Sequence, residues 1–259
     1  MNSLIMTGRT DPGMVREHNE DCFLIVPESG FALLADGMGG HLAGEVASAM
    51  AVDQITHHLL NAFRDPRANP VNNGSFESGT LVDAIKIANS AIHDASMKSP
   101  EQAGMGTTIV AAAFHGNRIT VAHVGDSRVY RFRRGALQQI TEDHSMVQEL
   151  LKRGLITAEE ARTSVNRNLV TRALGVDPIV EVDVREDVFE DGDLYLLCSD
   201  GLNDVLTDEE IAAILATHGH DLEAATKRMI EEVNNRGGPD NVSIVLIRTG
   251  GSFDRANGR

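Results

Sequence analysis

Apolar residues along this chain fall into two kinds of run. Short stretches bounded by Gly, Pro, Asn or Asp read as strands: Leu4 to Thr7, Phe23 to Val26, Phe31 to Ala35, Ile109 to Phe114, Ile119 to Val124, Leu194 to Cys198 and Val242 to Ile247. Arg128 to Phe132 alternates charged and apolar residues, as a half-exposed strand does. Elsewhere the spacing is helical. Val46, Met50, Ile55, Leu59 and Phe63 lie on one face, as do Leu81, Ile85, Ala88, Ile92 and Ala95, and later Leu222, Ala225, Met229 and Val233. The first two of these predict an antiparallel helix pair covering one face of a sheet. Pro27 to Gly30 turns one early strand into the next, a hairpin.

Between these elements the polar stretches differ in kind. Arg64 to Thr80 is rich in Pro, Asn, Gly and Ser and reads as a loop. Ser145-x-x-Gln148, Thr157-x-x-Glu160 and Thr207-x-x-Glu210 have the form of capping boxes, so three short helices are expected there. Gly154 to Gly175 carries Arg162, Arg167 and Arg172 with few large apolar residues, and reads as a mobile lobe beside a site or a long surface connection. After Thr249 the chain is Gly-rich and polar, without a packing pattern. No linker divides the chain, which gives one domain over 1–249 and a flexible tail over 250–259.

Composition narrows the function. Among 259 residues, 38 acidic against 23 basic give a net charge of −15, which argues against nucleic acid or an anionic membrane as partner. Arg131, Arg133 and Arg134 read as a solvated strand face rather than a basic patch. Two cysteines, Cys22 and Cys198, make neither a disulfide framework nor a zinc cluster. The start of the chain lacks a secretory pattern and no apolar run could cross a bilayer, so a cytoplasmic protein is expected.

Carboxylates mark the ends of the buried strands. Asp36, Asp126 and Asp200 each stand just past an apolar strand, and Asp240 just before one, all beside small residues. If those strands are neighbours, the acids converge. With no His-Cys cluster among them the ligand set is oxygen only, which favours Mg²⁺ or Mn²⁺ over zinc. Several carboxylates at one centre repel one another unless cations intervene, so more than one ion is expected. His123, within a strand, reads as a packed histidine, and His144 as a turn residue.

These residues resemble a known family. Arg16-x-x-Asn19-Glu20-Asp21, Asp36-Gly37-Met38-Gly39-Gly40-His41, Gly104-Met105-Gly106-Thr107-Thr108, Val124-Gly125-Asp126-Ser127-Arg128, Ser199-Asp200-Gly201-Leu202 and Gly238-Pro239-Asp240-Asn241 occur in the order seen in PP2C-type (PPM family) protein serine/threonine phosphatases, bacterial branch. The resemblance implies an α+β fold, a four-layer α-β-β-α sandwich of two antiparallel sheets flanked by helix pairs, with a flap over about 145–174. It implies that Asp36 bridges two Mn²⁺ or Mg²⁺ ions, with the Gly37 carbonyl on one and Asp200 and Asp240 on the other. Glu20 would act through a metal-bound water, Asp21 would orient the attacking water, and Asp126 with Asp200 would hold a third ion. Arg16 would clamp the substrate phosphate, its alternative being a surface ion pair with Glu17 or Glu20.

Two departures stand out. Animal members carry a histidine after the Asp-Gly pair as general acid; Met38 occupies that position, so the candidates are His41, three residues on, or a metal-bound water, and otherwise His41 would position phosphate or cap the following helix. In the flap, Ser164-Val165 replaces the His-Pro pair common in bacterial relatives. The expected activity is hydrolysis of phosphoserine and phosphothreonine in proteins by a monomer that opposes a bacterial Ser/Thr kinase. The alternatives are a catalytically silent phosphoprotein-binding module and a two-metal phosphodiesterase or nuclease.

Overall fold

The structure is a computed structural model that describes residues 4–39, 43–64, 75–164, 166, 168–253 and 255. Eleven strands form two antiparallel sheets among the described residues. In the first, β1 (Ile5–Asp11), β11 (Val242–Arg248), β10 (Leu194–Cys198), β7 (Arg128–Arg133) and β8 (Ala136–Gln139) lie side by side in that order. The second runs β2 (Asp21–Val26), β3 (Phe31–Met38), β5 (Ile109–His115), β6 (Arg118–Val124), β9 (Asp183–Val188), with β4 (Gly106–Thr107) on the end of β3.

The alternation of side chains across each strand makes three apolar layers. Leu34, Val110, Phe114, Val121, Tyr195, Leu197 and Val245 meet between the sheets. On the outer face of the second sheet, Leu33, Ile109 and Ala111 pack under α1 (Ala43–Arg64) and α2 (Phe76–Lys98). On the outer face of the first, Leu196, Ile244 and Leu246 pack under α5 (Asp200–Asn203), α6 (Asp208–His218) and α7 (Leu222–Asn235). The order is therefore α-β-β-α. The flap carries α3 (Met146–Lys152) and α4 (Ala158–Thr163). Thr157 and Thr207 complete full capping boxes with Glu160 and Glu210, while Ser145 caps α3 by its own side chain only.

Several expectations need correction. The face of α1 that is fully buried is the small one, with Ala47, Ala51, Ile55 and Leu59, while Val46 and Met50 lie at its border. Small residues let this helix approach the sheet closely, and a periodicity read from large side chains is displaced by about one position. The expected loop to Thr80 ends earlier, because Ser75 caps α2 and Phe76 opens it; residues 65–74 lie outside the described part. The tail is not free of packing as far as residue 255. Phe253 is buried and exchanges backbone hydrogen bonds with Gly116. Arg255 donates to Ser29 O, Phe114 O and Glu77 and stacks 3.6 Å from the Phe63 ring centroid. One aromatic and one cation suffice to dock a polar segment, a signal too sparse for composition to show.

Arg131, Arg133 and Arg134 are likewise not simply solvated. They reach Asp187, Asp193 and Glu190 across the edge where the two sheets meet.

Candidate active site

One end of the sandwich gathers the strand-end acids. Asp21 opens β2 and lies directly opposite Asp36 in the β2–β3 register, so their Cβ atoms stand about 5 Å apart, the usual spacing of a cross-strand pair. Asp126 sits where the chain leaves β6 of one sheet for β7 of the other. Asp200 follows β10 and Asp240 precedes β11, its neighbour in the sheet. Glu20 precedes Asp21.

The turn after Asp36 leaves no room for a side chain. A Cβ on Gly37 would fall 2.1 Å from the Gly44 carbonyl oxygen and 2.6 Å from that of Glu20. The Gly37 N–H donates to that Glu20 carbonyl at 3.1 Å. The glycine is required because strand, helix α1 and the Glu20 segment all converge at this point.

Electrostatics shows that the acids share a centre. Burial, followed by the charges of Asp21, Asp200, Asp126 and Asp240, holds the Asp36 carboxyl well above the usual carboxylate range. Asp200 is raised in the same way by burial and then by Asp126, Asp204, Asp240 and Asp21. Asp21 and Asp126 are each pushed up to about 6, chiefly by burial. Glu20 is raised by burial as well. Among the described residues none of Asp21, Asp36, Asp126 and Asp200 has an ion-pair partner on the protein. Arg16 is the cation at the edge. It donates to Asp240 at 2.7 Å, not to Glu17 or Glu20, and about half of its side chain remains exposed.

A second set of side chains holds these acids, and sequence reading assigned them no role. Ser199 Oγ donates to Asp21 Oδ2 at 2.8 Å and accepts the Ser243 N–H at 2.9 Å. Asn241, buried, accepts the Glu20 N–H at 2.8 Å and donates to the carbonyls of Pro12 and His18. It thereby fastens the loop that carries Arg16. Thr108 Oγ1 accepts the Asp36 N–H at 3.1 Å and lies 2.7 Å from Ser127 Oγ. A polar residue beside each acid was visible, but its partner lies up to 229 positions away, as for Asn241 with Pro12.

The arrangement fits hard cations. The donors are carboxylates and a backbone carbonyl, the oxygen set that Mg²⁺ and Mn²⁺ take. Asp21 Oδ1 is buried without a hydrogen-bond partner, an oxygen still able to accept. Beside Asp126 and Asp200 a cavity of about 520 Å³ opens between the flap residues Val147, Gln148 and Leu151 and the Val205–Leu206 turn. His41 lies outside the described residues, as does Val165 of the Ser164-Val165 pair. Met38 pairs with Gly106 at the end of β3 and has no ionisable proton.

Known proteins share this architecture. The family model described as protein phosphatase 2C matches residues 15–243. Serine/threonine protein phosphatase PstP of Mycobacterium tuberculosis is 40% identical over 239 residues, which cover 92% of this chain and 43% of that protein. The chain thus spans less than half of that relative, yet it matches 93% of serine/threonine phosphatase stp of Listeria monocytogenes, at 38% identity over 242 residues and 92% of this chain. The crystal structure of the PstP catalytic domain in complex with two manganese ions superposes with a TM-score of 0.82 at 39% identity, covering 95% of this chain and 98% of that one. Matched by that family model over residues 15–243 and by relatives 38–40% identical over 92% of its length, the chain belongs to the protein phosphatase 2C family.

Proposed function

We propose that the chain is a metal-dependent protein serine/threonine phosphatase, and the observation that carries this reading is the buried, unpaired carboxylate cluster with Arg16 at its edge. Asp36, Asp200 and Asp240, with the Gly37 carbonyl and Glu20, would hold two cations, and Asp126 with Asp200 a third. The relative with two bound manganese ions supports the metal requirement. Bound there, Mn²⁺ or Mg²⁺ supplies Lewis-acid polarisation and lowers the pKa of water into the neutral range.

The protein's own groups do the positioning. Ser199 fixes Asp21 through one oxygen, so that Oδ1 is left to accept a proton from an attacking water and aim its lone pair. Arg16 offers a planar fork of N–H donors that matches two phosphate oxygens, and its pairing with Asp240 sets where that fork points. Asn241 holds the loop that places it. The serine and threonine side chains are poor leaving groups, whose oxygen needs a proton as its bond to phosphorus breaks. We assign that proton to His41. The H41A variant should lose activity on a phosphothreonine peptide while keeping it on an aryl phosphate, whose leaving group needs none.

In the cell the enzyme would oppose a Ser/Thr kinase, acting as a monomer in the cytoplasm. No helix among the described residues is long and apolar enough to cross a membrane, and both cysteines are free. Manganese-dependent phosphate release from a phosphothreonine peptide tests the proposal. Activity no greater than that of Asp200→Ala would sink it, and faster cleavage of a bis-ester than of a mono-ester would favour a phosphodiesterase instead.

A further inference from the structure

His144 lies where the flap joins the sandwich, and the roles above do not use it. It is buried, and its bonds run three ways. Its backbone N–H donates to Gly125 O at 3.0 Å, and its ring Nδ1 accepts the Gly125 N–H at 3.1 Å, so both backbone groups of the residue before Asp126 are bound to this one histidine. Its carbonyl accepts the Thr171 N–H at 2.8 Å, and next to it Ser145 bridges Val170. The entry and exit of the flap therefore meet at His144.

A backbone N–H only donates, so Nδ1 is the acceptor in the contact with Gly125. Nε2 faces Asp183 Oδ2 at 3.5 Å, on a carboxylate that also accepts from Arg172 of the flap exit at 2.7 Å. His123 stacks on the ring at 4.5 Å and directs its own Nε2 to Glu142 O at 2.8 Å. His123, His144 and Asp183 lie close enough to hold a cation. The Arg172 guanidinium stands 3.1 Å from His144 Nε2, so a cation of the protein itself already faces that edge of the ring.

Gly125 is a point where such a brace matters. Its φ is +109°, a left-handed conformation, and a Cβ there would lie 2.6 Å from Thr108, the side chain that accepts the Asp36 N–H. A shift at Gly125 is thus passed to Asp126 along the chain and to Asp36 through Thr108.

We propose that His144 is a positioning residue: through Nδ1 it holds the Gly125–Asp126 turn in place for a third cation and couples that site to both ends of the flap. This rests on the reading that Asp126 helps hold such an ion, and the experiment separates the two. Manganese binding is counted by titration calorimetry and native mass spectrometry, and amide hydrogen exchange is followed, in the wild type, H144N, H144Q and D126A. Asparagine places its oxygen near the Nδ1 position and can accept the Gly125 N–H; glutamine, of comparable size, places it near Nε2 and cannot.

H144Q should bind its weakest manganese about tenfold more weakly, the size found when a group supporting a ligand is lost. Its Gly125 and Thr171 amides should exchange at least tenfold faster, and H144N should stay within about twofold of the wild type in both, as one retained buried hydrogen bond predicts. Equal protection of Gly125 in H144Q and the wild type, or equal damage in H144N and H144Q, would overturn the proposal. If D126A binds as many ions as the wild type, the third-ion reading fails, and with it the metal half of the proposal, while the exchange data still decide whether His144 braces the turn and the flap.

Discussion

Strand β10 carries an aspartate at each end, and the two are treated in opposite ways. Asp193, before its first residue, has a side chain only 2% exposed and is gripped by Arg133, whose Nε donates at 2.7 Å. Around it Arg131–Asp187 and Arg134–Glu190 make a belt in which each acid has a guanidinium. Asp200, past the last residue of the same strand, has no such partner among the described residues, and three more acids raise its pKa alongside burial and Asp204. A chain with 15 net negative charges could spread them over its surface. This one pairs its acids at one end of the sandwich and concentrates unpaired ones at the other. The belt is a structural device, and under the proposed function the rim would take cations that the protein does not itself supply.

The largest expected effect comes from removing a rim acid. Asp36→Asn should lower kcat on a phosphothreonine peptide by roughly 10³-fold or more, because an acid that would contact two cations is lost. In chelator the same variant should melt at a higher temperature than the wild type, since a buried carboxylate repelled by four others is gone. Scanning calorimetry checks this. A lower melting temperature would mean that Asp36 serves the fold as Asp193 does.

Arg16 sharpens the comparison because it is the guanidinium at the rim. Arg16→Ala should lower kcat/KM by about 10- to 100-fold, the loss of a charge-assisted fork on the phosphate. Arg16→Lys should recover only part of that, since a point charge cannot span two oxygens. Steady-state kinetics on one peptide compares all three forms. At the belt, Arg133→Ala should cost about 1–3 kcal/mol of stability by leaving Asp193 buried and short of partners, with kcat unchanged. Urea unfolding and activity measured on one sample would show the separation.

The smallest effect is one of pH. Asp21 and Asp126 hold a proton up to about pH 6 in the folded, metal-free protein, whereas an unfolded aspartate releases it near 4. The folded state therefore binds more protons between these values, and stability falls as pH rises through 6. Metal-free protein should melt higher at pH 5.5 than at pH 7.5, and manganese should reverse that order. A rise in melting temperature from pH 5.5 to 7.5 without metal would contradict the assignment.

Much of the rim was legible in the sequence because strand ends are local features. Asp36, Asp126 and Asp200 each follow an apolar run, and the Pro27–Gly30 hairpin sets Asp21 opposite Asp36. What brings the acids together was not legible. The strand order places β10 and β11 side by side, and Ser199, Thr108 and Asn241 act across long sequence separations. His144 read as a turn residue because nothing near it in sequence reveals Gly125 as its partner. The alanine face of α1 and the docked Arg255 were missed for a related reason: close approach and a single cation–ring contact leave no hydrophobic period to detect.

The central claim is that the unpaired rim binds cations and the paired belt does not. Anomalous scattering from crystals soaked in manganese tests it directly, at the metal's absorption edge. The account predicts at least two peaks within coordinating distance of Asp36, Asp200 and Asp240, and none at Asp187, Glu190 or Asp193. A single peak or none at the rim, with the protein still releasing phosphate from a phosphothreonine peptide, would contradict it.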